Sequence, residues 1–200
     1  MPAVESGQPI AQQLVLASAS ARRRDLLRQI GIEPATIDPP HIDERHHAGE
    51  LPLPYVQRMA SGKLAEVAPR HRGRWVLAAD TVVACGRRIL PKAESESEAR
   101  ACMALLSGRR HRVLGGIAIA TPDGRTGART VTTIVAFKRL TAAEIDHYMS
   151  TGDWHGKAGG YAIQGHAAAF IPWINGSYDN VVGLALSDTL AMLRGLGWRG

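Results

Sequence analysis

Leu14-Val15-Leu16-Ala17-Ser18-Ala19-Ser20-Ala21-Arg22-Arg23-Arg24 decides how the rest of the chain is read. The first four residues form a short apolar run, which predicts a buried strand. Ser20 then stands at a helix N-cap position. Leu26, Leu27 and Ile30 recur at helical spacing, and Gly31 supplies the stop. A strand thus feeds a helix through a hydroxyl-rich turn. Backbone N–H groups at such a helix start are unsatisfied and the dipole end is positive, so the place suits an anion. Arg22 and Arg23 add planar forks that match phosphate oxygens. An ordinary cap with solvated arginines is the commoner meaning of Ser-x-x-x-Arg. Here, cations in a first turn oppose the dipole, so an acidic partner is expected.

Two hundred residues, 45% of them hydrophobic, are enough for a domain that encloses a cleft. The reading is a flexible polar extension over residues 1–13 and, over 14–200, one globular domain or two small lobes. The extension lacks the basic start and apolar centre of a secretory signal. No apolar run approaches the ~20 residues needed to span a bilayer. Cys85 and Cys102 fit no metal spacing and read as core thiols of a cytoplasmic protein. The net charge of +6 raises nucleic acid as a partner. However, the arginines are scattered in short clusters and aromatics are few, so no stacking platform is present. A phosphate-rich small molecule accounts for the first cluster equally well. The others, Arg87-Arg88 among them, read as loop or hairpin surface.

Working outward, Ile32 to Ile37 predicts a second strand. His41, His46 and His47 lack the spacing of a helical metal site and read as surface. Pro54 opens a helix running to Val67. Lys63 falls inside its apolar stripe, and phase alone favours a lysine that snorkels past its neighbours. Trp75 to Ala79 is a continuous apolar run. It ends in Asp80-Thr81 before apolar residues resume at Val82. A carboxylate inside such a run is costly unless paired, protonated or bound to a cation. That makes Asp80 the leading functional candidate, against the alternative of an aspartate capping a bend in the sheet.

Gly86-Arg87-Arg88 reads as a hairpin turn. Ser95 with Glu98 and Thr141 with Glu144 are capping boxes that open two helices. His111–Thr121 and Arg129–Leu140 form a long antiparallel pair around Pro122-Asp123-Gly124. Gly156 to Gly165 holds four glycines in ten residues, which lets backbone approach a ligand closely. Within it Lys157 offers a point charge for phosphate and Gln164 a paired acceptor and donor for a base edge. Ala167 to Ile174 predicts a strand, Asn175-Gly176 a turn, and Ser177 to Leu184 its return. Ser187 caps a last helix bearing Leu190, Leu193 and Leu196. Together these elements predict an α/β domain with a mixed sheet.

In combination the motifs resemble the Maf family of nucleoside triphosphate pyrophosphatases, over nearly the whole chain from Leu14. The family's opening Ser-x-Ser-Pro-Arg-Arg turn corresponds to Ser18 to Arg23. Its acidic pair is Asp43-Glu44, its helix lysine Lys63, and its Ala-Asp-Thr is Ala79-Asp80-Thr81. The lysine after the hairpin is Lys92. The late Lys-Ala-Gly-x-Tyr-x-Ile-Gln-Gly is Lys157 to Gly165, and Gly-Ser-Tyr-x-Asn-Val-Val-Gly-Leu is Gly176 to Leu184. Ala21, Ala93 and Ala185 replace prolines of the family pattern, and no functional side chain is removed.

The resemblance implies a twisted mixed sheet flanked by helices, with a nucleotide cleft between two lobes, often in a homodimer. It implies hydrolysis of a nucleoside triphosphate to monophosphate and pyrophosphate with a divalent metal. The Tyr-x-Ile-Gln-Gly form resembles the branch preferring dTTP and UTP, with a house-cleaning role. On this reading Asp80 accepts the proton, and Glu44 and Asp80 hold Mg²⁺ or Mn²⁺. Lys63 and Lys92 assist the chemistry. Ser18, Ser20, Arg22, Arg23, Thr81, Lys157 and Gln164 bind the nucleotide, with Arg22, Thr81 and Gln164 setting base preference. Two rivals stay open: a pyrophosphatase for 7-methyl-GTP or another modified nucleotide, and a non-catalytic basic module that binds nucleic acid or a division protein.

Overall fold

In the computed structural model, which describes residues 13–200, β1 (Leu14–Ala17) is buried along its whole length. The expected extension lies outside the described residues except for Gln13. β1 has two parallel neighbours, β2 (Thr36–Ile37) and β3 (Trp75–Cys85). A strand with apolar side chains on both faces needs cover on both sides of its sheet. The sheet order is β2-β1-β3-β6 (Arg110–Ala120)-β7 (Thr126–Ala136)-β9 (Trp173–Asn175), with β4 (Arg88–Leu90) folded back on the end of β3. β6 runs antiparallel to β3 and pairs over eleven residues with β7. Beyond β7 lies the short edge strand β9. The sheet is mixed, as the sequence predicts.

Helix α2 (Pro52–Val67) covers one face and buries Val56, Met59, Ala60, Leu64 and Val67 against β3 and β6. Each of these side chains larger than alanine contributes roughly 1.5–3 kcal/mol by leaving water. The larger core on the other face is closed by α1 (Ala21–Gln29), α3 (Glu96–Leu106), α4 (Ala142–Thr151), α5 (Tyr178–Val182) and α6 (Leu186–Leu196). Both predicted capping boxes are present, at Ser95 and Thr141. A two-stranded ribbon, β5 (Lys92–Ala93) with β8 (Lys157–Ala158), stands apart from the main sheet and carries the glycine-rich loop beside it.

Gly115 and Gly116 sit in mid-β6, opposite Thr81 and Asp80. A Cβ at 116 would lie 2.6 Å from the Val56 carbonyl of α2, and one at 115 only 2.0 Å from Asn180 Oδ1 of α5. The glycines therefore let α2 and α5 approach the sheet from opposite faces at the same level.

Several sequence expectations need correction. The second strand shrinks to Thr36–Ile37, and β7 stops at Ala136 rather than Leu140. Asp80 neither ends the strand nor caps a bend, because β3 runs unbroken through it. Helix α2 begins at Pro52, since Tyr55 N–H already donates to the Leu51 carbonyl. Proline fits anywhere in a first turn whose N–H groups have no intrahelical partner. Ala167–Ile174 is a 3₁₀ turn (His166–Phe170) followed by β9. The returning strand over Ser177–Leu184 is instead helix α5. Ser177 Oγ accepts from Asn180 N–H, an N-cap bond that turns the chain into a helix despite two valines. Helix α6 starts at Leu186 after Ala185, because the Ala185 carbonyl accepts both Thr189 N–H and Thr189 Oγ1–H. Ser187 therefore lies inside the first turn.

Candidate active site

β1 ends at Ala17, opposite Ala78, while β3 continues through Asp80. The gap left beside the longer strand is a cleft of about 410 Å³ at the carboxyl end of the parallel pair. Open α/β sheets place their ligand sites at such strand ends. All eleven side chains singled out above line this one cleft. They come from the β1–α1 turn, the first turn of α1, the loop before α2, α2 itself, β3, β5 and the glycine-rich stretch that begins beside β8.

Lys63 and Asp80 form the floor. Both are buried, with 6% and 5% of their surface exposed. Lys63 Nζ donates to Asp80 Oδ1 at 2.7 Å and pairs with Glu44 Oε1 at 2.6 Å. Lys63 therefore does not snorkel. Its ammonium stays inside because two carboxylates meet it there, one from β3 and one from an irregular loop. Asp80 Oδ2 takes no hydrogen bond from the described residues. Glu44 Oε2 accepts from Lys92 Nζ at 2.6 Å. Burial alone would raise the Glu44 carboxyl, but the hydrogen bonds from Lys63 and Lys92 outweigh it and hold it down at about 2. The loop is stapled to α2 by Tyr55, whose hydroxyl donates to the Glu44 carbonyl, and by Arg58, which pairs with Glu50. Asp43, the other half of the acidic pair, faces solvent and is taken by Arg45.

The opposite wall is built differently. Ser20 is the N-cap of α1 but makes no side-chain cap bond, and no acidic residue lies in the first turn. Arg22 Nε donates to the Val182 carbonyl at 3.3 Å, and Arg23 Nε to the Gly183 carbonyl at 2.9 Å. Arg23 also donates to Ser18 Oγ and Thr81 Oγ1. Burial lowers both guanidinium pKa values; for Arg23, Asp80 pulls back upward and Arg22 adds to the lowering. Thr81 donates its own proton to Gly183 O. Its hydroxyl thus supports Arg23. Of the three residues expected to set base preference, Thr81 is engaged in this way and Arg22 is tied through Nε, while the Gln164 amide is unengaged among the described residues. Gln164 is exposed and makes no hydrogen bond to the described residues. Lys157 donates to the His155 carbonyl, and burial followed by Arg22 lowers its pKa. Gly159, at φ +66°, admits the loop against β3, since a Cβ there would lie 2.8 Å from Val83.

Three further contributors escaped the sequence reading. The carbonyls of Val182 and Gly183, at the end of α5, aim both arginines. Asn180 in turn fixes α5. Its side chain is fully buried and its Nδ2 donates to Val113 O, Val131 O and Thr133 Oγ1. Reading 177–184 as a strand hid this anchor. The Gly115-Gly116 pair inside a β pattern was the available signal of close backbone approach.

Glu44 and Asp80 are the oxygen donors on hand for a hard cation. Among the described residues no three Asp, Glu, His or Cys side chains converge as a metal cluster. The free Asp80 oxygen beside a second carboxylate fits a cation that takes only one or two protein ligands and completes its shell with phosphate and water. No helix among the described residues is long and apolar enough to cross a membrane.

A family model described as "Maf-like protein" matches residues 13–196. A protein of Paramagnetospirillum magneticum named dTTP/UTP pyrophosphatase is 62% identical over 92% of this chain and 97% of its own length. One of the same name from Rhodospirillum rubrum is 61% identical over 93% of this chain and 89% of its own. A solved dITP/XTP pyrophosphatase of Mycobacterium abscessus overlays 65% of this chain and 76% of its own, with a TM-score of 0.39 and 17% identity.

Proposed function

The chain belongs to the Maf family, and from that premise we propose that it hydrolyses dTTP and UTP to the nucleoside monophosphate and pyrophosphate. The observation that carries this reading is the contrast between the two sides of the cleft. One side holds an ammonium between two carboxylates, and the other holds two guanidiniums met only by neutral oxygens. The second side is built to receive an anion and the first to do chemistry on it.

The nucleotide's phosphates would lie against Arg22, Arg23 and the open N–H groups of α1. Gln164 would pair with the pyrimidine edge. A site that hydrogen-bonds a base rejects one that leaves its amide unpaired. Asp80, with its free oxygen toward the cleft, would take the proton of the attacking water. The water oxygen bonds to the α-phosphorus, and the bridging oxygen leaves with pyrophosphate and the bonding electron pair. Lys63 holds Asp80 in place by donating to its Oδ1, and Lys92 faces the leaving group. Phosphoryl transfer asks mainly for such positioning and charge. Glu44 and Asp80 would hold a divalent cation, which supplies further neutralisation of phosphate charge when bound. Cys85 and Cys102 are free thiols, in keeping with a reducing cytoplasm.

The test is pyrophosphate release from dTTP, UTP, CTP, GTP and 7-methyl-GTP, with Mg²⁺ or Mn²⁺ and with chelator. Metal-dependent release from dTTP and UTP is expected. Release from 7-methyl-GTP alone would keep the reaction and overturn the base preference. Release from none would overturn the reaction itself.

A further inference from the structure

A second concavity, of about 750 Å³, adjoins the cleft. Glu44, Asp80, Thr81, Lys92 and Ala158 line both, so the two spaces meet along the lysine–carboxylate cluster. The far wall of the second space includes the β3–β4 hairpin with Arg87 and Arg88. That pair carries no function in the reading so far.

The charges of this second space do not cancel. Each carboxylate that lines it is already paired: Glu44 with Lys63 and Lys92, Asp80 with Lys63, and Glu50 with Arg58. Arg45, on the same wall, is matched by Asp43. Arg87 and Arg88 are exposed and make no ion pair or hydrogen bond with the described residues. Their hairpin is fixed nonetheless. Gly86 turns at φ +60°, Arg88 is in register with Cys85, and Arg112 Nη2 donates to the Gly86 carbonyl at 2.7 Å. The backbone that carries these two uncompensated arginines is thus held in place on the wall of the second space, which shares Lys92 with the cleft. Like-charged groups fixed together without counter-ions raise the local concentration of anions. Guanidinium forks select phosphate oxygens among them.

We propose that this second space is a pyrophosphate subsite. It receives the β- and γ-phosphates at the end of the reaction and lets inorganic pyrophosphate leave on the side of Arg87 and Arg88. The proposal rests on the pyrophosphatase reading and extends it, because cleavage makes two anions that repel each other. The monophosphate stays with Arg22, Arg23 and Gln164, and the pyrophosphate has a separate cationic path past Lys92.

The experiment is product inhibition in the full chain, comparing the wild type with the double variant Arg87→Ser/Arg88→Ser. Both positions are exposed, and the hairpin's backbone pairing does not depend on them. The inhibition constant for inorganic pyrophosphate should rise about tenfold or more, the effect of losing charged hydrogen bonds, while that for dTMP shifts less than about twofold. An unchanged constant for pyrophosphate overturns the subsite, as does an equal rise for both products. Calorimetric titration of inorganic pyrophosphate, without nucleotide, supplies a readout free of turnover. Wild-type binding that weakens in the double variant supports the subsite even if no triphosphate is hydrolysed, an outcome that would sink only the pyrophosphatase reading. No binding to the wild type sinks the subsite alone.

Discussion

Both walls of the cleft carry cationic side chains, yet they are prepared in opposite ways. Lys63 and Lys92 have their charge met by Asp80 and Glu44 at 2.6–2.7 Å. Arg22 and Arg23 are also held rigidly, but only by carbonyl and hydroxyl oxygens. The arginine wall therefore keeps its whole positive charge, next to a helix N-terminus with no acidic residue of its own. The lysine wall is internally neutralised and can rearrange only by exchanging partners. On the proposed function, binding strength belongs to the first wall and chemistry to the second. That division can be broken or sharpened by four measurements.

The largest effect is expected at Asp80→Asn. The amide still accepts from Lys63, so the fold and the thermal midpoint should be nearly kept. Pyrophosphate release should fall by roughly 10²–10⁴, the usual worth of a positioned proton acceptor. Near-normal turnover would remove Asp80 from the chemistry. Lys63→Met comes next. It leaves a buried carboxylate without its partner, which costs about 3–5 kcal/mol and lowers the melting midpoint by roughly 10 °C. Adding Asp80→Asn to that variant should recover part of the loss. A strictly additive double variant would show that the two residues do not act as a pair.

On the other wall, Arg22→Ala and Arg23→Ala should raise the dTTP KM on the order of ten- to a hundredfold with a smaller change in kcat, as expected for lost charged hydrogen bonds. A fall confined to kcat would erase the division between the walls. The smallest effect is electrostatic. Glu44 sits at about 2 in the folded protein against 4.5 when free. Its contribution to stability is complete above about pH 4.5 and is lost as pH falls toward about 2. Its side chain is 38% exposed, so solvent screens the amplitude. Denaturant titrations across this window should show a shallower acid slope for Glu44→Gln than for the wild type.

The two walls also differed in how far they could be read from residues alone. Asp80 announced itself as a charge within an unbroken apolar strand. The arginine turn did so as cations against a helix dipole. Lys63 had the right phase but no visible reason to stay inside, because its partners come from a strand and a loop brought close only by folding. Asn180 was invisible for a different cause. A local N-cap bond at Ser177 overrode the β preference of Val181 and Val182, so a helix formed where a strand was expected. The capping boxes and the long β6–β7 hairpin depend on neighbours in sequence and were legible. The carbonyls of Val182 and Gly183 that aim the arginines depend on a contact 160 residues away and were not.

The two glycines of β6 give this division a mechanical basis. Gly116 touches the helix that carries Lys63, and Gly115 touches the asparagine behind the helix that steers Arg22 and Arg23. Adjacent positions on one strand point to opposite faces. A single methyl group at 116 would press on the lysine helix, and the same group one residue earlier would press on α5, whose end aims the arginines. On the proposed function, the chain thus carries two separate adjusting screws side by side, one for turnover and one for affinity.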